Sequence, residues 1–192
     1  MLRLALLSTR IKANGNEFLM LDQANFSVIE TLRNGSSVEI RAQRPGDRKD
    51  LEAALARMSD ESLYRRFFGA KRHFSEKEVE HFLNIDFVNH VALVVVAQEN
   101  STPAIVGAGR YVLIEPGTAE VAFGIVDDFQ GQGIGAALMR NLASIAGQAG
   151  LNKLIAEVLA SNGAMLKVFE KSGLQMNTKR EGAVIHVTLT HP

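Results

Sequence analysis

The chain contains no cysteine. That excludes disulfides, thiolate metal sites and a cysteine nucleophile. It also has no excess of either charge. Its 21 Lys and Arg balance 21 Asp and Glu, so nothing in the net charge argues for long-range attraction to nucleic acid or to an anionic membrane. Long apolar runs are missing too. The opening "MLRLALLSTRIKANGNEF" has a short apolar run, broken by Arg3 and ended by Arg10 and Lys12. A secretory signal needs a longer uninterrupted stretch, and no segment approaches a membrane span, so a cytoplasmic location is expected.

What is there suits one globular domain. The 192 residues are 46% apolar and 22% charged, long enough for a sizeable core and short for two domains. Residues 1–36 carry no interpretable motif and are read as an N-terminal extension. The turn "RNGSS" marks the start of the domain proper, 37–192. "SVEIRAQR" alternates as a strand with one wet face. Asp47 can then cap a helix with Leu51, Leu55 and Met58 on one side. "SDESLYRRFFG" predicts a second helix closed by Gly69. "SEKEVEHFLNI" opens a third with a Ser75…Glu78 capping box and buries Val79, Phe82 and Leu83. Strands are predicted at 90–97, 104–114, 118–126, 153–160 and 183–190, with helices from the glycines to about Ala149 and over 164–172. Helices first, then a meander, then β-α-β-α-β, describe a mixed-sheet α/β domain.

The informative stretch is "VAFGIVDDFQGQGIGAALM", where three glycines fall at a strand-to-helix junction. Inside a helix each costs roughly 1 kcal/mol in propensity. The loss is tolerable if a ligand must approach the backbone. The first turn of a helix has unpartnered N–H groups and partial positive charge, so a glycine-lined start can hold a phosphate. A loop that merely needs positive φ would use the same residues. A P-loop is excluded, because Ala136 and Ala137 stand where Lys and Ser or Thr belong. The dinucleotide pattern is formally met by Gly131, Gly133 and Ala136, with Glu157 as the distant acid. However, the chain left after Ala136 is too short for that fold, and "DDFQ" separates the strand from the glycines.

Gln130, Gly133 and Gly135 in "QGQGIG" match the Q/R-x-x-G-x-G/A pattern of the GNAT superfamily of acyl-CoA-dependent N-acyltransferases, and the chain resembles that family from about residue 37 to 190. "SNGAMLKVFEKSGL" looks like the helix that follows in the family. "SDESLYRRFFGAKRHFSEKEVEHFLNID" together with "AEVAFGIVDDFQGQGIG" is similar to the catalytic domain of Pat-type bacterial protein lysine acetyltransferases. The resemblance implies a GNAT-like mixed, mostly antiparallel central sheet with helices on both faces and a splayed strand pair that holds acetyl-CoA. It implies that the loop of Gln130, Gly131, Gln132, Gly133, Ile134, Gly135 and Ala136 wraps the pyrophosphate through main-chain amides. Ile125 and Val126 would pair with the pantetheine amides, as a strand edge does with a peptide. Asn162 and Phe169 would complete the cofactor site.

Transfer to an amine needs a neutral nitrogen. A lysine with a pKa of about 10.4 is neutral in only about one part in 2,500 at pH 7. A positioned carboxylate recovers much of that handicap. Strand alternation in "AEVAFGIV" puts Glu120 on a face otherwise lined by Ala122, Gly124 and Val126, opposite Val121, Phe123 and Ile125. On spacing alone Glu120 is a solvated glutamate or a base; the resemblance implies the general base. Asp127 and Asp128 read as turn-formers or caps. Glu157 is either structural or an assistant through water. His73, His81, His90 and His186 are scattered without ligand spacing, so no metal is expected.

One departure from the family matters. Many members place a tyrosine seven positions after the asparagine to protonate the leaving thiolate, and here Phe169 stands there. A thiolate with a pKa of about 8.5 can leave without a strong acid. Tyr64 and Tyr111 are the only tyrosines. The resemblance thus implies direct attack in a ternary complex on acetyl-CoA, with a protein lysine as acceptor. A small-molecule amine and a non-catalytic acyl-CoA-binding module stand beside it. The aromatic helix with Arg65 and Arg66 suits an acidic partner over a polycation. Larger Pat-type proteins carry a regulatory domain, which 36 leading residues are too few to form, so ligand control in cis is not expected.

Overall fold

The computed structural model describes residues 23–69, 71 and 73–191; the expected N-terminal extension lies outside the described residues up to residue 22. Eight strands form one sheet: β1 (Ser27–Thr31), β2 (Ser37–Ala42), β3 (His90–Glu99), β4 (Thr102–Glu115), β5 (Thr118–Ile125), β6 (Lys153–Leu159), β7 (Gln175–Glu181) and β8 (Val184–Thr190). Their spatial order is β1-β2-β3-β4-β5-β6-β8-β7. All neighbours are antiparallel except β5 and β6. The helices are α1 (Arg48–Ala56), α2 (Asp60–Phe67), α3 (Glu76–Leu83), α4 (Ile134–Gln148) and α5 (Gly163–Glu170). This mixed, mostly antiparallel sheet with helices on both faces is the α/β architecture that the resemblance implies.

Central β3, "HVALVVVAQE", is buried along nearly its whole length, as a strand covered on both faces should be. On one face Leu93, Tyr111, Val121 and Phe123 pack with Leu138, Leu142 and Ile145 of α4 and Phe169 of α5. On the other, Val94, Ile105 and Val126 pack under Ala54 and Leu51 of α1.

The parallel pair positions the site. β5 and β6 are in register only from Thr118–Glu120 against Lys153–Ile155. Yet β5 continues to Ile125 and β6 to Leu159. Beyond Glu120 the two strands part, and the inner edge of β5 is left without a strand partner. The gap opens beside the N-terminus of α4.

Several local expectations are corrected. The side chain of Asp47 does not cap α1. It is buried and held by Arg41, whose Nη1 and Nη2 donate at 2.8 and 2.7 Å, and by the Arg44 N–H at 2.7 Å. An ion pair offers that carboxylate more than a helix N–H does. Gly69 does not close α2; Phe68 takes the left-handed position, with φ of 55°, and donates its N–H to the Tyr64 carbonyl. The Ser75–Glu78 capping box forms in both directions, but no residue of α3 is fully buried. His81 and His90 are not scattered: their rings stack at 5.5 Å. β1 and β7 lie outside the expected strands, and β1 pairs with β2 over its whole length.

Candidate active site

The gap between β5 and β6 opens into a cleft of about 540 Å³. Its floor is β5, and its walls are α2, the glycine loop with the first turn of α4, and α5. Three glycines meet three different needs in the loop. Gly131 and Gly133 have φ of 74° and 102°, where a side chain is strained. Gly135 has helical φ, but a Cβ there would stand 3.1 Å from Val168 Cγ2, so it lets α4 approach α5.

The loop amides decide whether a diphosphate fits. Gln130 N–H donates to the Asp127 carbonyl at 3.1 Å, so it is already engaged. The N–H groups of Gly131, Gln132, Gly133, Ile134, Gly135 and Ala136 meet no acceptor among the described residues. Free amides at a helix start, reached through glycines, suit an anion. Asp127 does not compete, since its carboxylate is turned onto the Ser59 N–H at 3.3 Å and the Gln130 side chain at 3.2 Å. Its pKa is lowered, with burial opposing the hydrogen bonds from Ser59 and Ser62 and the charge of Arg65.

The expected cofactor residues do not all reach the cleft. Ile125, Gln130, Gly131, Gly133, Ile134, Gly135, Ala136, Asn162 and Phe169 line it. Val126 does not. It is buried under α1, its N–H donates to the Val106 carbonyl at 2.9 Å, and its carbonyl accepts from Phe129 N–H. The expected pairing with pantetheine finds no free donor there. Gln132 also points away, donating to the Asp128 carbonyl at 2.8 Å and accepting from Asn34. The Ile125 carbonyl is taken by Gln130 Nε2 at 3.1 Å. Asn162 caps α5, its side chain accepting from Met165 N–H at 3.2 Å.

Glu120 is exposed in the cleft, on the face of β5 shared with Ala122 and Gly124. It has no hydrogen-bond or ion-pair partner among the described residues. Glu157 of β6 also lines the cleft, with His186 Nδ1 at 3.4 Å. No tyrosine does. Tyr111 lies on the opposite, core face, paired in register with Val121. Burial and then the charge of Asp86 push its pKa up to about 12, and its hydroxyl has no partner. Tyr64 is exposed on α2, outside the cleft.

Sequence reasoning passed over three cations that line the cleft: Arg33, Lys167 and Lys171. Arg33 follows β1, in the segment read as an extension, and its N–H donates to the Gln132 carbonyl at 3.3 Å. The i, i+4 spacing of Lys167 and Lys171 puts both on one side of α5, a signal that "KVFEK" does contain. Among the described residues no helix is long and apolar enough to cross a membrane, and no group of three His, Asp or Glu is placed to hold a metal.

Comparison with known proteins agrees with this geometry. Residues 38–175 match the family described as acetyltransferase (GNAT) domain. An acetyltransferase of Pseudomonas aeruginosa is 33% identical over 138 residues, 71% of this chain and 74% of its own length. The acetyltransferase Pat of Mycolicibacterium smegmatis is 32% identical over 144 residues, 74% of this chain, but the match spans only 42% of that longer protein. The crystal structure of the GNAT domain of S. lividans PAT superposes with a TM-score of 0.77 at 31% identity, covering 85% of this chain and 96% of that one. The family implies acetyl-CoA as co-substrate, in keeping with the six free amides. With its splayed strands, its glycine loop and these relatives, the chain belongs to the GNAT family of acetyltransferases.

Proposed function

We propose that the protein transfers the acetyl group of acetyl-CoA to the side-chain amine of a lysine in a protein, by direct attack with Glu120 as general base. The observation that carries this reading is the unpartnered Glu120 carboxylate in the same cleft as the free amides of residues 131–136. Similarity to Pat proteins supports a protein acceptor.

In this reading each group has one task. The amides from Gly131 to Ala136 and the start of α4 hold the diphosphate, with Arg33, Lys167 and Lys171 adding positive charge nearby. Phe169 and Val158 bound the cleft as apolar wall. Ala122 and Gly124 leave room for the acceptor beside Glu120. Glu120 takes a proton from the lysine ammonium, directly or through water. The freed nitrogen then forms its bond to the acetyl carbon, giving up its surplus proton to water, as the carbon–sulfur bond breaks. The sulfur leaves as thiolate, because no tyrosine lines the cleft to protonate it and a thiol pKa of about 8.5 permits this.

Incubation with acetyl-CoA and a cell lysate, followed by mass spectrometry, tests the acceptor: new acetyl-lysines in proteins are expected. Glu120→Gln should lower kcat by roughly 100-fold or more at pH 7 while acetyl-CoA still binds. An unchanged kcat removes Glu120 from its role.

A further inference from the structure

Arg41, Arg48, Arg57, Arg65 and Arg140 each hold a carboxylate. Arg66 of α2 and Arg110 of β4 do not: both are half-buried, and neither meets a carboxylate at ion-pair distance among the described residues. Both lie near Glu120, Arg66 in the cleft and Arg110 behind its lining, on the same sheet face as Glu120. Arg66 lines the cleft together with Glu120. Arg110 is registered with Ala122 and Val112 with Glu120, so Arg110 and Glu120 are diagonal neighbours on one face of the sheet. The Arg110 guanidinium lies 4.5 Å from the centre of the Phe82 ring and 3.4 Å from His90 Nε2, and that of Arg66 lies 4.9 Å from the Phe67 ring.

We propose that Arg66, reinforced by Arg110, forms a carboxylate-binding subsite beside the catalytic base, so that the acceptor lysine is recognised next to an Asp or Glu in its own chain. This rests on the protein-lysine reading above.

Ring faces give a desolvated guanidinium less than a carboxylate does, and its planar fork is built to take two oxygens. Burial pulls Arg66 down to about 10, with the charge of Glu120 opposing. Burial and the charge of Arg66 pull Arg110 down to about 9. Burial leads in both, so each guanidinium is desolvated without a carboxylate at ion-pair distance among the described residues. A substrate carboxylate supplies that partner.

The test uses two peptides that differ only by Asp or Asn beside the lysine, titrated calorimetrically into the protein saturated with coenzyme A. The Asp peptide should bind about 10-fold tighter or more. In Arg66→Gln the two affinities should come within about twofold, and Arg110→Gln should reduce the preference partially. Arg66→Glu should prefer a peptide with arginine in that place, an outcome that misfolding cannot produce. Equal affinities in the unaltered protein, or no binding of either peptide, overturn the subsite. Acetylation rates of the same peptides are read separately: preferential binding without transfer leaves the subsite standing and overturns the acceptor reading.

Discussion

Gln130 Nε2 donates to Ser62 Oγ at 3.0 Å, which ties the glycine loop to helix α2 across the mouth of the cleft. The same nitrogen reaches the Ile125 carbonyl at 3.1 Å and Asp127 Oδ1 at 3.2 Å. One side chain therefore sets the end of β5, the loop that presents the free amides and the helix that bears Arg66.

Gln130→Ala should consequently disturb both substrates. Loss of these bonds is expected to raise the KM for acetyl-CoA by roughly 10-fold, through misplacement of the loop. The KM for the acceptor should also rise, by roughly threefold, because α2 loses its tie, while kcat changes less. Initial rates measured with each substrate varied in turn separate these effects. An acceptor KM that stays constant means the bond to Ser62 does not position α2.

Gly133 is the left-handed residue immediately before α4, with φ of 102°. Its missing Cβ has ordinary space, the nearest atom being Arg33 Cγ at 3.8 Å, so the constraint is conformational and not steric. An L-residue there costs about 1–2 kcal/mol, and relief of that strain rotates the neighbouring amides. Gly133→Ala should weaken acetyl-CoA binding by roughly 10-fold or more by calorimetry, with only a small loss of stability. Gly46→Ala is the control, because nothing lies within 4 Å of its Cβ position and its φ is not positive. Equal acetyl-CoA affinity in both variants shows that the loop conformation does not matter for binding.

Much of this architecture is legible in the sequence because it rests on local signals. Alternation in "AEVAFGIV" separates the Glu120 face from the Val121–Phe123 face, and the burial along β5 follows that split. Ser75 and Glu78 are three residues apart and cap α3 as such pairs do. What stayed hidden depends on contacts distant in sequence. "QMNTKRE" has no apolar alternation, and β7 is a strand because β8 offers it an edge. Asp47 has the look of a cap until Arg41, on the neighbouring strand, claims its carboxylate. Val126 extends the periodicity of β5, but the chain has by then turned it inward, under α1. Arg33 reaches the cleft only because β1 joins the far edge of the sheet and the turn after it folds back against the loop.

The Arg41–Asp47 pair makes its own prediction. Both side chains are more than nine-tenths buried, with relative exposures of 9% and 7%. Burial works against the Asp47 charge, but the hydrogen bonds from Arg41 and Arg44 outweigh it and hold the pKa below the usual carboxylate value. Asp47→Asn leaves a buried guanidinium without its counter-charge and should lower unfolding stability by about 3 kcal/mol at pH 7. Replacing both partners, as Arg41→Met with Asp47→Leu, should recover part of that loss, since no charge is then stranded. Urea midpoints of the three proteins check this. If the double replacement is no better than the single one, the pair contributes more than the cost of burying it.

His90 links acid to stability. It is buried at 6% exposure, its main-chain N–H donates to Asp86 Oδ1 at 2.8 Å, and its ring stacks on His81 at 5.5 Å and lies 3.4 Å from Arg110 Nη1. Burial, then the positive charges of Arg110 and His81, push its pKa down to about 4, with Asp86 opposing. In the unfolded chain the ring titrates at about 6.5, so on acidification the unfolded state gains its proton first. Stability is therefore full above about pH 6.5 and falls as the pH drops towards 4, by up to about 3 kcal/mol from this ring. His90→Gln cannot take up the proton, so its stability should decline less over that window, although it starts lower because the packed ring is gone. Urea unfolding at pH 7, 5.5 and 4.5 gives the slope for each protein. Parallel slopes would mean that the ring is no harder to protonate in the folded protein than in the unfolded one.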